Sequence, residues 1–87
     1  MKVTDVLKAL ADDTRLDILL FLMAGKKNAG QIVSKINKSQ PNVSLALKQL
    51  TIVGIVDQEK KGREVYYRIK KPEQLRNIFE LLEELKK

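Results

Sequence analysis

The stretch Ser39-Gln40-Pro41-Asn42-Val43-Ser44-Leu45-Ala46-Leu47-Lys48-Gln49-Leu50-Thr51-Ile52-Val53-Gly54-Ile55-Val56 decides the fold. Ser39 is a good N-cap, because its hydroxyl can accept an N–H from the first turn. Pro41 falls in that turn, where a missing N–H costs little. Val43, Leu47 and Leu50, joined by Ala46, recur at helical spacing and predict one buried stripe. Gly54 stops the helix. The stretch reads as a capped amphipathic helix that hands over at once to a strand.

Working upstream, Asn28 and Gln31 have the spacing of a capping box. They open a brief helix with Ile32, Val33 and Ile36 inward, ending near Asn37. Before it, Asp12 caps a helix from Asp13 to about Met23, and a second acid in the first turn suits the helix dipole. Leu16, Ile18, Leu19, Leu20, Phe21, Leu22 and Met23 make that helix apolar almost all round, so it is expected to be central and buried, with Gly25 as its stop. Val3, Val6, Leu7 and Leu10 form the stripe of a first, short helix.

Downstream, Ile55 to Lys60 and Glu64 to Ile69 read as two strands around Lys61-Gly62-Arg63. Val65, Tyr67 and Ile69 alternate with Glu64, Tyr66 and Arg68, the period of a half-buried strand. Pro72 opens a last helix carrying Leu75, Ile78, Phe79, Leu81, Leu82 and Leu85. That stripe is wide for the end of a small chain.

The chain has 87 residues, which suggests one domain with a modest core and a second subunit to share it. Its net charge of +6 is uneven, with eight Lys/Arg against three acids between residues 38 and 71. Such a patch is a footprint of polyanion binding, or else a solubilising surface. There is no cysteine and no histidine. Disulfides, thiolate switches, Cys/His metal sites and imidazole acid–base chemistry are thereby excluded from these residues. No apolar run has the length of a membrane span and no leader segment is visible, so the expected location is the cytoplasm. Without a Cys, a His or a glycine-rich phosphate loop, no catalytic residue and no cofactor are expected.

Two short helices joined by Asn37-Lys38-Ser39 are a helix-turn-helix. In that motif the second helix enters the DNA major groove with its N-terminal residues on base edges. The outward positions are Gln40, Pro41, Asn42, Ser44, Leu45 and Lys48. Gln40 and Asn42 suit adenine and Ser44 is versatile, while Lys48 lies farther along and suits phosphate. Ser39 and the free N–H groups beside it also suit a phosphate. Leu45 is an apolar exception, placed either against a thymine methyl or on a neighbouring helix. Lys60, Lys61 and Arg63 surround the ribbon tip, which can straddle the backbone or enter the minor groove. Arg68 and Lys70 lengthen the track. A hairpin with these charges standing alone would read as a protected edge.

Ala9-Leu10-Ala11-Asp12-Asp13-Thr14-Arg15-Leu16-Asp17-Ile18-Leu19 resembles the opening signature of ArsR-type winged-helix repressors. Ser39 to Ser44, with Leu47, Leu50, Gly54 and Val56, is similar to their recognition helix and its exit. Gly62-Arg63 with Val65 to Ile69 is similar to their wing. The resemblance implies a mainly α (α+β) winged helix-turn-helix of about five helices and a two-stranded β-wing, as a single domain over residues 1–87. It implies a homodimer on double-stranded DNA, joined through the first and last helices. The expected interface residues are Val3, Val6, Leu7, Leu10, Leu75, Ile78, Phe79, Leu82 and Leu85. It also implies repression by operator occupancy, relieved by an effector.

The chain departs from the pattern in four places, one of them Asp13 in place of a frequent proline, which is harmless at a helix start. The helix before the turn has no thiol where many members carry metal-sensing cysteines. The last helix offers only Glu73, Glu80, Glu83 and Glu84, a set suited at best to a hard cation. Leu45-Ala46 stands where polar residues or His are common, so no operator preference carries over. The effector and the operator are not written in the sequence. The alternatives are a winged helix used as a protein-interaction module and a non-specific architectural DNA-binding protein.

Overall fold

The computed structural model describes residues 2–87. Helices α1 (Val3–Leu10) and α2 (Asp13–Leu22) lead to a short strand β1 (Lys27–Asn28). Helices α3 (Ala29–Lys35) and α4 (Gln40–Ile52) follow, then strands β2 (Val56–Lys61) and β3 (Glu64–Ile69), and finally α5 (Pro72–Lys86).

Local chemistry sets the helix boundaries. The Asp12 carboxylate accepts from the Arg15 N–H at 2.9 Å. Asn28 and Gln31 close a reciprocal capping box, each backbone N–H donating to the other side chain at 2.8 Å. Ser39 Oγ accepts from the Asn42 N–H at 3.3 Å, with proline in the first turn. Such caps satisfy N–H groups that have no intrahelical partner and contribute about 1 kcal/mol each. At the other end of α4, the Gly54 N–H donates to Thr51 O at 3.1 Å and the Ile55 N–H to Leu50 O at 3.1 Å. This is a Schellman closure, and it needs the left-handed residue that Gly54 supplies with φ of 80°.

The core gathers apolar residues from all five helices and from β2 and β3. Ile18, Leu19, Ile32, Val43, Leu50 and Val56 are its largest fully buried side chains. Leu10, Leu22, Ile36, Ala46, Leu47, Ile69 and Leu75 complete it. Each fully buried aliphatic side chain contributes about 1.5–3 kcal/mol. Ile36 follows α3 and is itself buried, so it anchors the turn that aims α4.

The sheet has three antiparallel strands in the order β1-β3-β2, not the two expected. Lys27 pairs with Tyr67 and Asn28 with Tyr66. A two-residue strand shows no hydrophobic period, so nothing in the pattern could announce it. Lys26 lies 5.5 Å from the Tyr66 ring centre and Lys27 5.1 Å from that of Phe21, which helps hold β1 in place.

The second difference concerns α2. Ile18, Leu19 and Leu22 are buried, but Leu20 is 58% exposed and Leu16, Phe21 and Met23 are only partly covered. An all-round apolar helix in this small chain has more apolar surface than one subunit can cover. Leu16, Leu20 and Met23 line an open groove that α5 borders through Phe79 and Leu82.

Candidate nucleic-acid interface

The turn between α3 and α4 is tight, with the Lys38 N–H donating to Ile36 O at 2.8 Å. Because Val43, Ala46, Leu47 and Leu50 are buried, the opposite side of α4 is turned outward. Ser39, Gln40, Pro41, Asn42, Ser44, Leu45 and Lys48 are all exposed, as the spacing predicts. There is no acidic side chain on α4, so nothing on it repels phosphate.

The wing is the β2–β3 hairpin. Its ladder runs without a break from Val56–Ile69 to Lys61–Glu64, leaving Gly62-Arg63 as a two-residue loop. Gly62 has φ of 62° and, among the described residues, no non-glycine residue has positive φ, the pattern of a type II′ turn. Lys60, Lys61 and Arg63 are exposed, and among the described residues none of them is in an ion pair.

Arg68 stands differently. It is directly opposite Asp57 in the ladder and its guanidinium lies 3.4 Å from that carboxylate. Both side chains are well exposed, so the pair adds little stability, but Asp57 offsets the charge that Arg68 would offer a polyanion. Tyr66 Oη donates to Glu64 Oε2 at 2.9 Å. That hydrogen bond and the Glu64 charge hold the phenol above its usual pKa. The wing therefore carries no group that this contact brings into the neutral pH range.

Of the nine interface residues expected from the apolar stripes, Val3, Leu7, Ile78, Leu82 and Leu85 are exposed. Leu10 and Leu75 lie instead in the subunit's own core, and Val6 and Phe79 are partly buried against it. The first turn of α5 folds back on the core, while Leu81, Leu82 and Leu85 beyond it are left open.

Sequence reasoning missed Arg15 and Gln49. The Arg15 guanidinium donates to Ala9 O at 2.7 Å, Lys8 O at 3.0 Å and Gln49 Oε1 at 2.7 Å. One side chain of α2 thus ties the end of α1 to the recognition helix. The partners lie up to 34 positions away, and no local pattern exposes such a link.

A short helix, a turn, a second helix with an open face and a following basic hairpin define a winged helix-turn-helix. The family model for bacterial regulatory proteins of the arsR family matches residues 12–58. The chain belongs to that family. It is 32% identical over 84 residues to the transcriptional activator HlyU of Vibrio cholerae, covering 97% of this chain and 77% of that protein. It is 35% identical over 65 residues to a probable mercury resistance operon repressor of Streptomyces lividans, covering 75% of this chain. The chain spans only 52% of that repressor's length.

Among solved structures, HlyU from Vibrio cholerae superposes with a TM-score of 0.81 at 32% identity, covering 94% of this chain and 88% of that one. A homodimeric winged helix-turn-helix DNA-binding domain from Mycobacterium bovis gives 0.82 at 31% identity, covering 95% and 76%.

Proposed function

We propose that this chain is a single winged-helix domain over residues 1–87 that works as a homodimer on double-stranded DNA and regulates transcription. In this reading α4 lies in the major groove and reads sequence, and the wing places Lys60, Lys61 and Arg63 on the backbone or in the minor groove. The observation that carries it is the outward side of α4, which is exposed and free of acid, together with a wing tip whose exposed Lys60, Lys61 and Arg63 make no ion pair among the described residues. Protein surfaces that meet duplex DNA need this combination of base-reading groups and phosphate-neutralising charge. The apolar residues left open on α1, α2 and α5 fit a second copy of the chain, and the Mycobacterium bovis relative is named a homodimer.

Repression by occupying an operator is the favoured outcome, since several relatives are named repressors. HlyU, which aligns with most of the chain, is named an activator, so a promoter fusion assayed with and without the protein decides the sign. The regulator acts in the cytoplasm, where the DNA is. No helix among the described residues is long and apolar enough to cross a membrane. It performs no catalysis.

Relatives are named for mercury and arsenic resistance, but the residues here do not fit a thiophilic metal. These 87 residues hold no thiol or imidazole, and the Glu83 and Glu84 carboxylates are engaged by Lys86 and Lys87 at 3.3 and 3.2 Å. A metal held by thiolate or imidazole ligands of these residues is therefore not what releases the protein from DNA.

The salt dependence of duplex binding tests the assignment of the basic face. Log affinity should fall linearly with log salt, as counterion release requires. Arg63→Ala should flatten the slope by about one unit if Arg63 neutralises a phosphate. An identical slope would remove Arg63 from the contact, and no duplex binding at low salt would move the basic face to a protein partner. Asn42→Ala should lower specific affinity by about 1–2 kcal/mol while sparing binding to random DNA. Equal discrimination by wild type and variant would take Asn42 out of base reading.

A further inference from the structure

A helix advances about 100° per residue, so the side of α4 opposite Val43, Ala46, Leu47 and Leu50 is centred on positions 41, 45, 48 and 52. Three of these are apolar: Pro41, Leu45 and Ile52. The amides and hydroxyls of Gln40, Asn42 and Ser44 flank this line and do not occupy it. Leu45 is 55% exposed and takes no part in the subunit core, although it sits in the middle of a buried-to-polar helix. Ile52 lies two turns farther on, about 10 Å along the axis and away from the helix N-terminus that leads into a groove.

We propose that Leu45 reads a thymine, by packing its isobutyl group against the 5-methyl in the major groove of each half-site. The inference rests on the DNA-binding reading above and goes one step into its specificity. Thymine is the base that shows an apolar group in the major groove; the other base edges show donors and acceptors. A leucine at the centre of the face cannot satisfy those polar edges, and covering them would leave them unpaired. It gains only where a methyl group meets it. Lys48, one turn along on the same line, stays available for the phosphates, and α4 has no acid to oppose the approach.

The test uses the 87-residue chain and the duplex it enriches from a random pool. Each thymine is replaced in turn by deoxyuridine, which removes the methyl and leaves every hydrogen-bonding group in place. Affinity is read by fluorescence anisotropy at fixed salt. Wild type should lose roughly threefold to tenfold per half-site at one symmetry-related position, the scale of one buried methyl. Leu45→Ala, an exposed change to a strong helix former, should bind the thymine and uracil duplexes equally. Wild-type binding that ignores every replacement would overturn the proposal, and so would a methyl effect that persists in Leu45→Ala. Failure to enrich any duplex would overturn the regulator reading itself, and this proposal with it.

Discussion

Leu82→Glu is expected to convert the protein to a monomer and to weaken operator binding by about 10²–10⁴-fold, the scale of losing one of two linked contacts. Leu82 is 46% exposed in the isolated subunit, so a carboxylate there remains hydrated and the subunit fold is retained. In the proposed dimer the same position is covered, and a buried unpaired carboxylate is strongly unfavourable. Leu81 and Leu85 remain open beside it on α5, which at 15 residues is about 22 Å long and is anchored to the core chiefly by its first turns. Sedimentation equilibrium and circular dichroism on the same sample separate loss of association from loss of structure. A stable dimer of Leu82→Glu would place the interface elsewhere.

The fold was readable because its main signals are local. Asp12, Asn28 and Ser39 cap the helices they were expected to cap, and Gly54 ends α4 where the pattern stops. The outward side of α4 followed from the period of its buried stripe. What escaped depends on partners distant in sequence. β1 exists because Lys27 and Asn28 meet Tyr67 and Tyr66 across the sheet. Arg68 looked like a free cation until the register set it opposite Asp57. Leu10 and Leu75 belong to the same stripes as Leu7 and Leu82, and periodicity alone cannot say where a stripe leaves its own core and turns to another subunit.

Arg15→Ala is expected to destabilise the subunit by about 2–4 kcal/mol, since hydrogen bonds to a charged group contribute roughly 1.5–3 kcal/mol each and do not add fully. The carbonyls of Lys8 and Ala9 close α1, and the Gln49 amide sits on α4, so the change loosens both helices at once. Arg15→Lys should recover only part of the loss, because an ammonium cannot present the planar fork that reaches three acceptors. Urea unfolding of the three proteins gives the comparison. A difference between wild type and Arg15→Ala below about 0.5 kcal/mol, the range of an ordinary surface substitution, would show that the clip carries no stability. If the clip also sets the angle between α1 and α4, Arg15→Lys will bind a single half-site better than a full operator, relative to wild type.

Selection of bound duplexes from a random pool at moderate salt, followed by sequencing, tests the central claim most directly. A dimer with two equivalent recognition helices must enrich an inverted repeat whose half-sites lie about one helical turn, 34–36 Å, apart. Binding with no enriched sequence, or enrichment of a single unrepeated site, would contradict a two-fold sequence-reading regulator.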